Sequence, residues 1–393
     1  MGLRLGFHYH IPALLKEGEI YMPGYQSVFI DSLAPYCEKI ICFLHSPHID
    51  EAYLCGSKIE SRNVELVDIG LHTSVPERVI RSRKYTSYLL KKKNELDVLL
   101  LRGPSPLLPA MAHRVSDVSK ALLLVSSYTD SIDSLPQPGW RRELIRLWAF
   151  WNESQQLKIA RRGLTFVNSA KLYNNLKSSV PNLIEIRTTT ITQKDIVIRE
   201  DTCQKKPFHI LFSGRITFEK GIFDILDALS ILKQKNVDYI LDLVGMPENE
   251  DFMKRLWQYA EKLEIQNQIY YHGFKSVGEE LFAFYRQADV FIIASKSSEG
   301  FPRTIWEAFS QSTPVVATKV GSIPYFLKDE QDALLAMPND PGALAESLLR
   351  IFSDSNLRKR LIRNGLRMAE ENTLDIRASE MIQSINQWLN SGR

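Results

Sequence analysis

Two carboxylates and two cations set among glycines are the residues of this sequence whose types and spacing suit a common chemistry. Glu299 and Glu307 stand with seven residues between them in E-G-F-P-R-T-I-W-E-A, and Arg215 and Lys220 lie within G-R-I-T-F-E-K-G. A carboxylate offers two oxygens that can accept from a pair of sugar hydroxyls. An arginine fork and a lysine point charge both suit a diphosphate. Carboxylates beside an anion repel it, so Glu299 and Glu307 call for a polyhydroxyl partner and not for the phosphate itself. On spacing alone a plainer account stays open, in which Glu299 caps a helix and Glu307 is a solvated first-turn acid favoured by the helix dipole.

The surrounding pattern supplies the elements that would position these groups. Val290 to Ala294 is a continuous apolar run, suited to a strand buried on both faces of a parallel sheet. The stretch from Ser295 to Pro302 then leaves the carboxyl end of that strand. Ile305, Ala308 and Phe309 recur at helical spacing from Arg303 to Ser312, and Pro314 ends that helix before the strand Val315 to Ala317. Phe208 to Phe212 reads as another strand, with Ser213-Gly214-Arg215 at its carboxyl end and Lys220-Gly221 starting a helix over Ile222 to Leu232. Open sheets bind ligands outside the carboxyl ends of their strands, and a helix start offers unpaired N–H groups to an anion. The glycine spacing matches neither the Walker loop nor the dinucleotide fingerprint.

The stretch E-G-F-P-R-T-I-W-E-A resembles the E-x7-E motif of the retaining glycosyltransferases of family four. The similarity runs from Gly214 to Gly221 through Val244-Gly245 and His272-Gly273-Phe274 to Pro314-Val315-Val316-Ala317-Thr318. It implies an α/β chain of GT-B fold, with two Rossmann-like doubly wound parallel-sheet domains facing a cleft. It also implies that Glu299 contacts the transferred sugar, Glu307 the nucleotide ribose, and Arg215 and Lys220 the leaving diphosphate. Gly214, Gly245, Phe274, Gly300, Phe301 and Pro302 fall to the donor site by the same resemblance. Pro23-Gly24 is similar to the family's small-residue loop near the donor diphosphate. Arg102, after the strand Val98 to Leu101, stands where relatives commonly place a histidine beside the sugar's outer hydroxyls. An arginine there suits an acidic sugar or an acceptor phosphate, or is simply a surface residue on a turn.

The implied activity is transfer of a sugar, with retention, from a nucleoside diphosphate sugar to a glycan or lipid-linked acceptor in bacterial surface polysaccharide biosynthesis. Cationic side chains on the diphosphate make a metal unnecessary. A nucleotide-sugar-binding regulatory protein without turnover is the rival from another class, and a phosphorylase or epimerase on the same fold is a lesser one.

At 393 residues the chain exceeds one core and predicts two domains. The expected bounds are 1–195 and 206–372, with 192–207 as linker and a last helix, 373–393, packing back on the first domain. A hydrophobic content of 44% and charged content of 24% are those of a soluble globular protein. A net charge of +3 is too mild for a nucleic-acid partner. Cys37, Cys42, Cys55 and Cys203 make no C-x-x-C pair, so neither zinc nor a disulfide framework is indicated and a cytoplasmic location fits. No signal peptide is read, because Met1 to Phe7 runs straight into a strand, and no apolar run approaches a membrane span.

In the first half, apolar runs at 3–7, 40–44, 64–69, 98–101, 121–125 and 164–167 alternate with helical patterns, and His8 to Gly24 reads as a long loop. His8 and His10 share one face of the first strand's end, which leaves a metal site, an acceptor contact and an ordinary loop position open. Trp140, Leu144, Leu147, Trp148 and Trp151 fall on one side of a helix, and Arg78 to Lys93 carries seven cations and no acid. Either these meet an anionic membrane at its inner face, or the tryptophans pack on the core and the basic run is solvated.

Overall fold

The computed structural model describes residues 2–129, 132, 138–187, 189–296 and 300–391. It divides into two compact units, one of residues 1–188 with 375–393 and one of residues 189–374.

The first unit contains β1 (Leu3–Pro12), β2 (Leu14–Lys16), β3 (Glu19–Met22), β4 (Cys37–Ser46), β5 (Ser57–Lys58), β6 (Val64–Leu71), β7 (Val98–Gly103), β8 (Ser119–Leu124), β9 (Leu164–Val167) and β10 (Leu183–Glu185). Seven of these form a parallel sheet in the order β10-β9-β8-β7-β1-β4-β6. The central runs, such as Val98 to Leu101 and Ile40 to Leu44, are buried, as helices on both faces of such a sheet require. The stretch expected as a loop after Phe7 is more ordered than that. β1 continues to Pro12, and β2 and β3 make a hairpin whose turn, Glu17-Gly18, has positive φ at both residues. That is the backbone twist a two-residue hairpin prefers.

The helix Gly139–Ala160 buries Ala149, Asn152, Gln156, Ile159 and Ala160. Its other side faces outward, with Trp140 70%, Leu147 67% and Trp151 54% exposed. Packing of this tryptophan face on the core is thereby overturned, except for Trp148, which lies against Tyr128 at 5.1 Å. The basic run is not a uniform solvated patch either. Arg78 points into the unit, Lys92 pairs with Glu65 and Glu95, and Lys93 pairs with Asp117. No described helix is long and apolar enough to cross a membrane.

The second unit contains β11 (Phe208–Ser213), β12 (Tyr239–Val244), β13 (Ile269–Tyr271), β14 (Val290–Ile293), β15 (Val315–Thr318) and β16 (Leu334–Ala336), parallel in the order β13-β12-β11-β14-β15-β16. Alternation divides its core in two. Ile210, Phe212, Leu241, Leu243 and Ile292 pack on one face, and Leu211, Val244, Phe291, Ile293 and Ala317 on the other. With both faces covered, only the strand ends remain for a ligand. β10 and β16 were not expected from the sequence.

Residues 192–207, where periodicity lapses, belong to the second unit and are fastened to it. Arg199 donates to the carbonyls of Gln311 (3.0 Å) and Ser312 (3.2 Å) and to Thr313 Oγ1 (2.8 Å). The segment is held by side-chain bonds to backbone carbonyls, which leave no repeat in the sequence.

Candidate functional site

Glycines bring neighbouring strand ends into unusually close contact in the second unit. The amide of Gly214, just past β11, donates to Val244 O at 3.0 Å, and that of Gly245, just past β12, donates to Gly273 O at 2.8 Å. Gly245 has φ +145, and a Cβ there would lie 1.7 Å from Gly214 O. Gly221 has φ +66, and its Cβ would lie 1.9 Å from Ala294 O, beside the end of β14. Only glycine allows these approaches, and main chain therefore lines the strand ends where side chains would otherwise stand. Arg215 follows Gly214 and is exposed, while Lys220 closes the turn Phe218–Lys220 and is half-buried. The helix Ile222–Gln234 begins immediately after Gly221. Arg215 thus stands just past the carboxyl end of β11, and Lys220 stands just ahead of the helix start.

Lys296 joins this turn to the loop after β14. Its Nζ donates to Asp224 Oδ1 at 2.7 Å and lies 4.8 Å from the Phe218 ring centroid, and its amide donates to Glu219 O at 2.8 Å.

The helix Arg303–Ser310 starts after Pro302, and Phe301 is buried against Trp306 at 4.4 Å. Glu307, on this helix, is only 3% exposed, so it is not a solvated first-turn acid. Thr190 Oγ1 donates to its Oε1 at 2.7 Å, and the Tyr285 hydroxyl donates to its Oε2 at 2.9 Å. Each oxygen retains a second lone pair for a further donor. Burial, and then the charge of Glu307, push the Tyr285 phenol well above its ordinary value, so it remains a protonated donor. Ser213 also bonds Tyr285, which links the end of β11 to Glu307 through one polar network. Gly300 is half-buried and Phe274 is exposed. Glu299 lies outside the described residues.

Two residues expected at the donor lie in the first unit. Gly24 opens the helix Gly24–Leu33, and Arg102 stands in β7. The Arg102 guanidinium donates to Gln26 Oε1 at 2.8 Å and covers the Tyr9 ring at 4.8 Å, with Tyr25 and Phe29 at 5.8 Å. It is buried, so the surface-turn account of Arg102 fails. The metal option at His8 and His10 fails as well. His8 places its ring nitrogens at 2.8 Å from Phe43 O and 3.3 Å from Ser105 Oγ, and no described group of three His, Cys, Asp or Glu side chains is arranged around a common metal position.

Sequence reasoning missed Thr190, Ser213, Tyr285 and Lys296. Tyr285 falls on the buried face of the helix Glu279–Gln287, where spacing marks it only as core. The others carry no local signal, because their partners are distant in the chain.

Residues 193–368 match the family described as Glycosyl transferases group 1. An uncharacterized glycosyltransferase of Methanocaldococcus jannaschii is 30% identical over 156 residues, 39% of this chain and 38% of that protein. The lipopolysaccharide core biosynthesis glycosyltransferase LpsE of Rhizobium meliloti is 27% identical over 156 residues, 40% of this chain and 43% of that protein. Each match therefore spans less than half of the relative's length. The crystal structure of Anabaena HepE in complex with UDP-glucose superposes with a TM-score of 0.72 at 17% identity, covering 98% of this chain and 99% of that one. The expected GT-B fold of two Rossmann-like parallel-sheet domains is borne out, and the segment that matches the group 1 family lies within the second unit.

Proposed function

We propose that this chain is a retaining glycosyltransferase that moves a sugar from a nucleoside diphosphate sugar to a glycan or lipid-linked acceptor in surface polysaccharide biosynthesis. The observation that carries this reading is the glycine-lined edge of β11 and β12, with Arg215 just past β11 and Lys220 just ahead of a helix start, inside the segment that matches the group 1 family. The relative named for lipopolysaccharide core biosynthesis supports the pathway class.

In the proposed reaction the acceptor oxygen bonds to the anomeric carbon on the face the diphosphate leaves. The bond from that carbon to the diphosphate oxygen breaks, and the acceptor proton passes to a departing phosphate oxygen. Arg215 and Lys220 stabilise the charge that develops there, the largest catalytic contribution expected at such a site. Glu307 holds the ribose with its remaining lone pairs while Thr190 and Tyr285 fix its carboxylate. Glu299 orients the transferred sugar. These cations do the work on the diphosphate that a divalent metal does elsewhere, so activity is expected to survive a chelator.

Proton NMR of the fresh product tests the reading, with UDP-glucose, the ligand of the Anabaena structure, as the first donor tried. The product keeps the donor's anomeric configuration. An inverted anomer overturns the front-face route, and consumption of free phosphate in place of an acceptor favours a phosphorylase.

We further propose that the first unit rests on an anionic bilayer through the helix Gly139–Ala160, which fits a lipid-linked acceptor and a place at the inner face of the cell membrane. Trp140, Leu147 and Trp151 give that helix an exposed aromatic and aliphatic face. Lys158 stands eighteen residues, or five turns, beyond Trp140 and so on the same side. With Arg161, Arg162 and Lys120 it borders a cavity of about 690 Å³. Tryptophan at headgroup depth beside cations suits an interface, each cation contributing ~1 kcal/mol near anionic lipid. The full chain is expected to cosediment with anionic vesicles at low salt and to be released by high salt, and Trp140→Ala with Trp151→Ala should reduce binding. Equal recovery of parent and variant in the supernatant at low salt refutes the docking. Concentration-dependent dimerisation lost in the same variant assigns the face to a second copy.

A further inference from the structure

A second polar centre lies wholly within the first unit, near the carboxyl ends of β1, β4 and β6. Its unusual member is Arg78, in the helix Val75–Ile80, which is 5% exposed although its side chain carries a full charge. Its Nε has no hydrogen-bond partner, and it pairs with no carboxylate among the described residues. Its Nη1 lies 3.0 Å from His72 Nε2. His72 Nδ1 lies 2.8 Å from Glu51 Oε2. His72 Nε2 also lies 3.0 Å from the backbone carbonyl oxygen of His10, so this nitrogen stands between that carbonyl and the guanidinium while Glu51 holds the other side of the ring. Glu51 therefore acts on His72, one side chain removed from Arg78.

Among the described residues the neighbours add neutral hydrogen-bonding groups and no second acid. The buried Nδ1 of His10 has no partner, and its ring lies in the field of both Arg78 and Arg102. Burial, first among the causes, holds His10 to about 3, so the ring is neutral at ordinary pH. His45 is fully buried, bonds Gly70 O at 3.0 Å through Nδ1, and leaves Nε2 without a partner. Its ring centroid is 5.5 Å from that of His72. A guanidinium kept only to brace the fold is expected to face a carboxylate, because an uncompensated buried charge is among the most costly features of a protein interior. Here Glu51, the one nearby acid among the described residues, is already engaged by a histidine, and Arg78 Nε and His10 Nδ1 are left over.

We infer that Arg78, with His10 and His72, forms an oxyanion subsite that takes a phosphate or carboxylate group of the acceptor. The word acceptor rests on the glycosyltransferase reading, since Arg215 and Lys220 of the other unit are already assigned to the donor's diphosphate. The binding of an oxyanion does not rest on it. Arg78 supplies the charge and a fork of N–H groups, and His72, oriented by Glu51, fixes the plane of that fork.

The test is titration of the full chain with inorganic phosphate, at ionic strength held constant with sodium chloride, followed by calorimetry and by melting temperature. Parent, Arg78→Met, Arg215→Ala and the double variant are compared, and glucuronate replaces phosphate in a parallel series. Arg78→Met is expected to weaken one phosphate site by ~10-fold or more, the loss of a charge-assisted fork, while Arg215→Ala leaves that site intact. It should also melt no lower than the parent, because it removes a buried charge that has no counter-acid among the described residues. A phosphate response unchanged by Arg78→Met overturns the subsite, whatever that variant's own stability. Should Arg78→Met not fold, His10→Ala must weaken the same site, and an unchanged response there overturns the inference equally. An Arg78-dependent response to glucuronate alone identifies a carboxylate, and one to phosphate alone a phosphoryl group. UDP provides the separate control. If UDP does not bind the parent while the Arg78-dependent phosphate site persists, the donor reading fails and the oxyanion site stands.

Discussion

Lys220→Ala is expected to lower turnover by ~10²-fold or more, and Arg215→Ala by a similar factor, because each removes a contact that strengthens as the leaving diphosphate gains charge. Arg215 is exposed, so its loss should leave the melting temperature unchanged. Lys220 is half-buried in a short turn before Gly221, and its variant should lose little stability beside its loss in rate. The measurement is turnover at saturating donor, with melting recorded alongside. Near-normal turnover in either variant removes that cation from the leaving group.

The second large effect is structural in origin. Gly245→Ala would place a methyl group 1.7 Å from Gly214 O, at a φ of +145 that other residues rarely adopt. Neither backbone can yield cheaply, since the Gly214 amide is bonded to Val244 O and the Gly245 amide to Gly273 O. The expected cost is about 3 kcal/mol or more, from backbone strain together with overpacking. For a unit of this size that lowers the melting temperature by roughly 6–12 °C. Nucleotide affinity should fall with it, because displacing Gly214 moves Arg215. A Gly245→Ala protein with unchanged melting and unchanged nucleotide affinity would show that the close approach does not position the site.

Much of the sheet architecture was legible because parallel strands covered on both faces must be apolar throughout, as at Val98 to Leu101 and Val290 to Ile293. The cations at the end of β11 were legible because glycines and a helix start are local signals. The anchoring of Glu307 was not, since Thr190 precedes it by 117 residues and Tyr285 by 22. Nothing local distinguishes a carboxylate that will be fixed by two distant hydroxyls from one left in water. The hairpin β2–β3 hid in a stretch with little alternation, marked only by Glu17-Gly18. Arg78 was concealed by its neighbours, because a cation at the head of a basic run reads as one more solvated charge, and only packing shows that it turns inward. The tryptophan helix failed in the opposite sense, since an apolar stripe at helical spacing is the usual mark of a core face and here much of it lies outside.

The fastening of residues 192–207 governs where the two halves could be exchanged between proteins. A chimera joined at the start of β11 would separate Arg199 from the carbonyls of Gln311 and Ser312 and would strip Glu307 of Thr190. The incoming half would then have to supply a foreign strap for carbonyls it had never met. Seams placed ahead of Thr189 and behind Leu374 keep every one of those bonds inside a single piece. Recombination across such seams replaces the first unit while the second travels as an intact cassette, strap included.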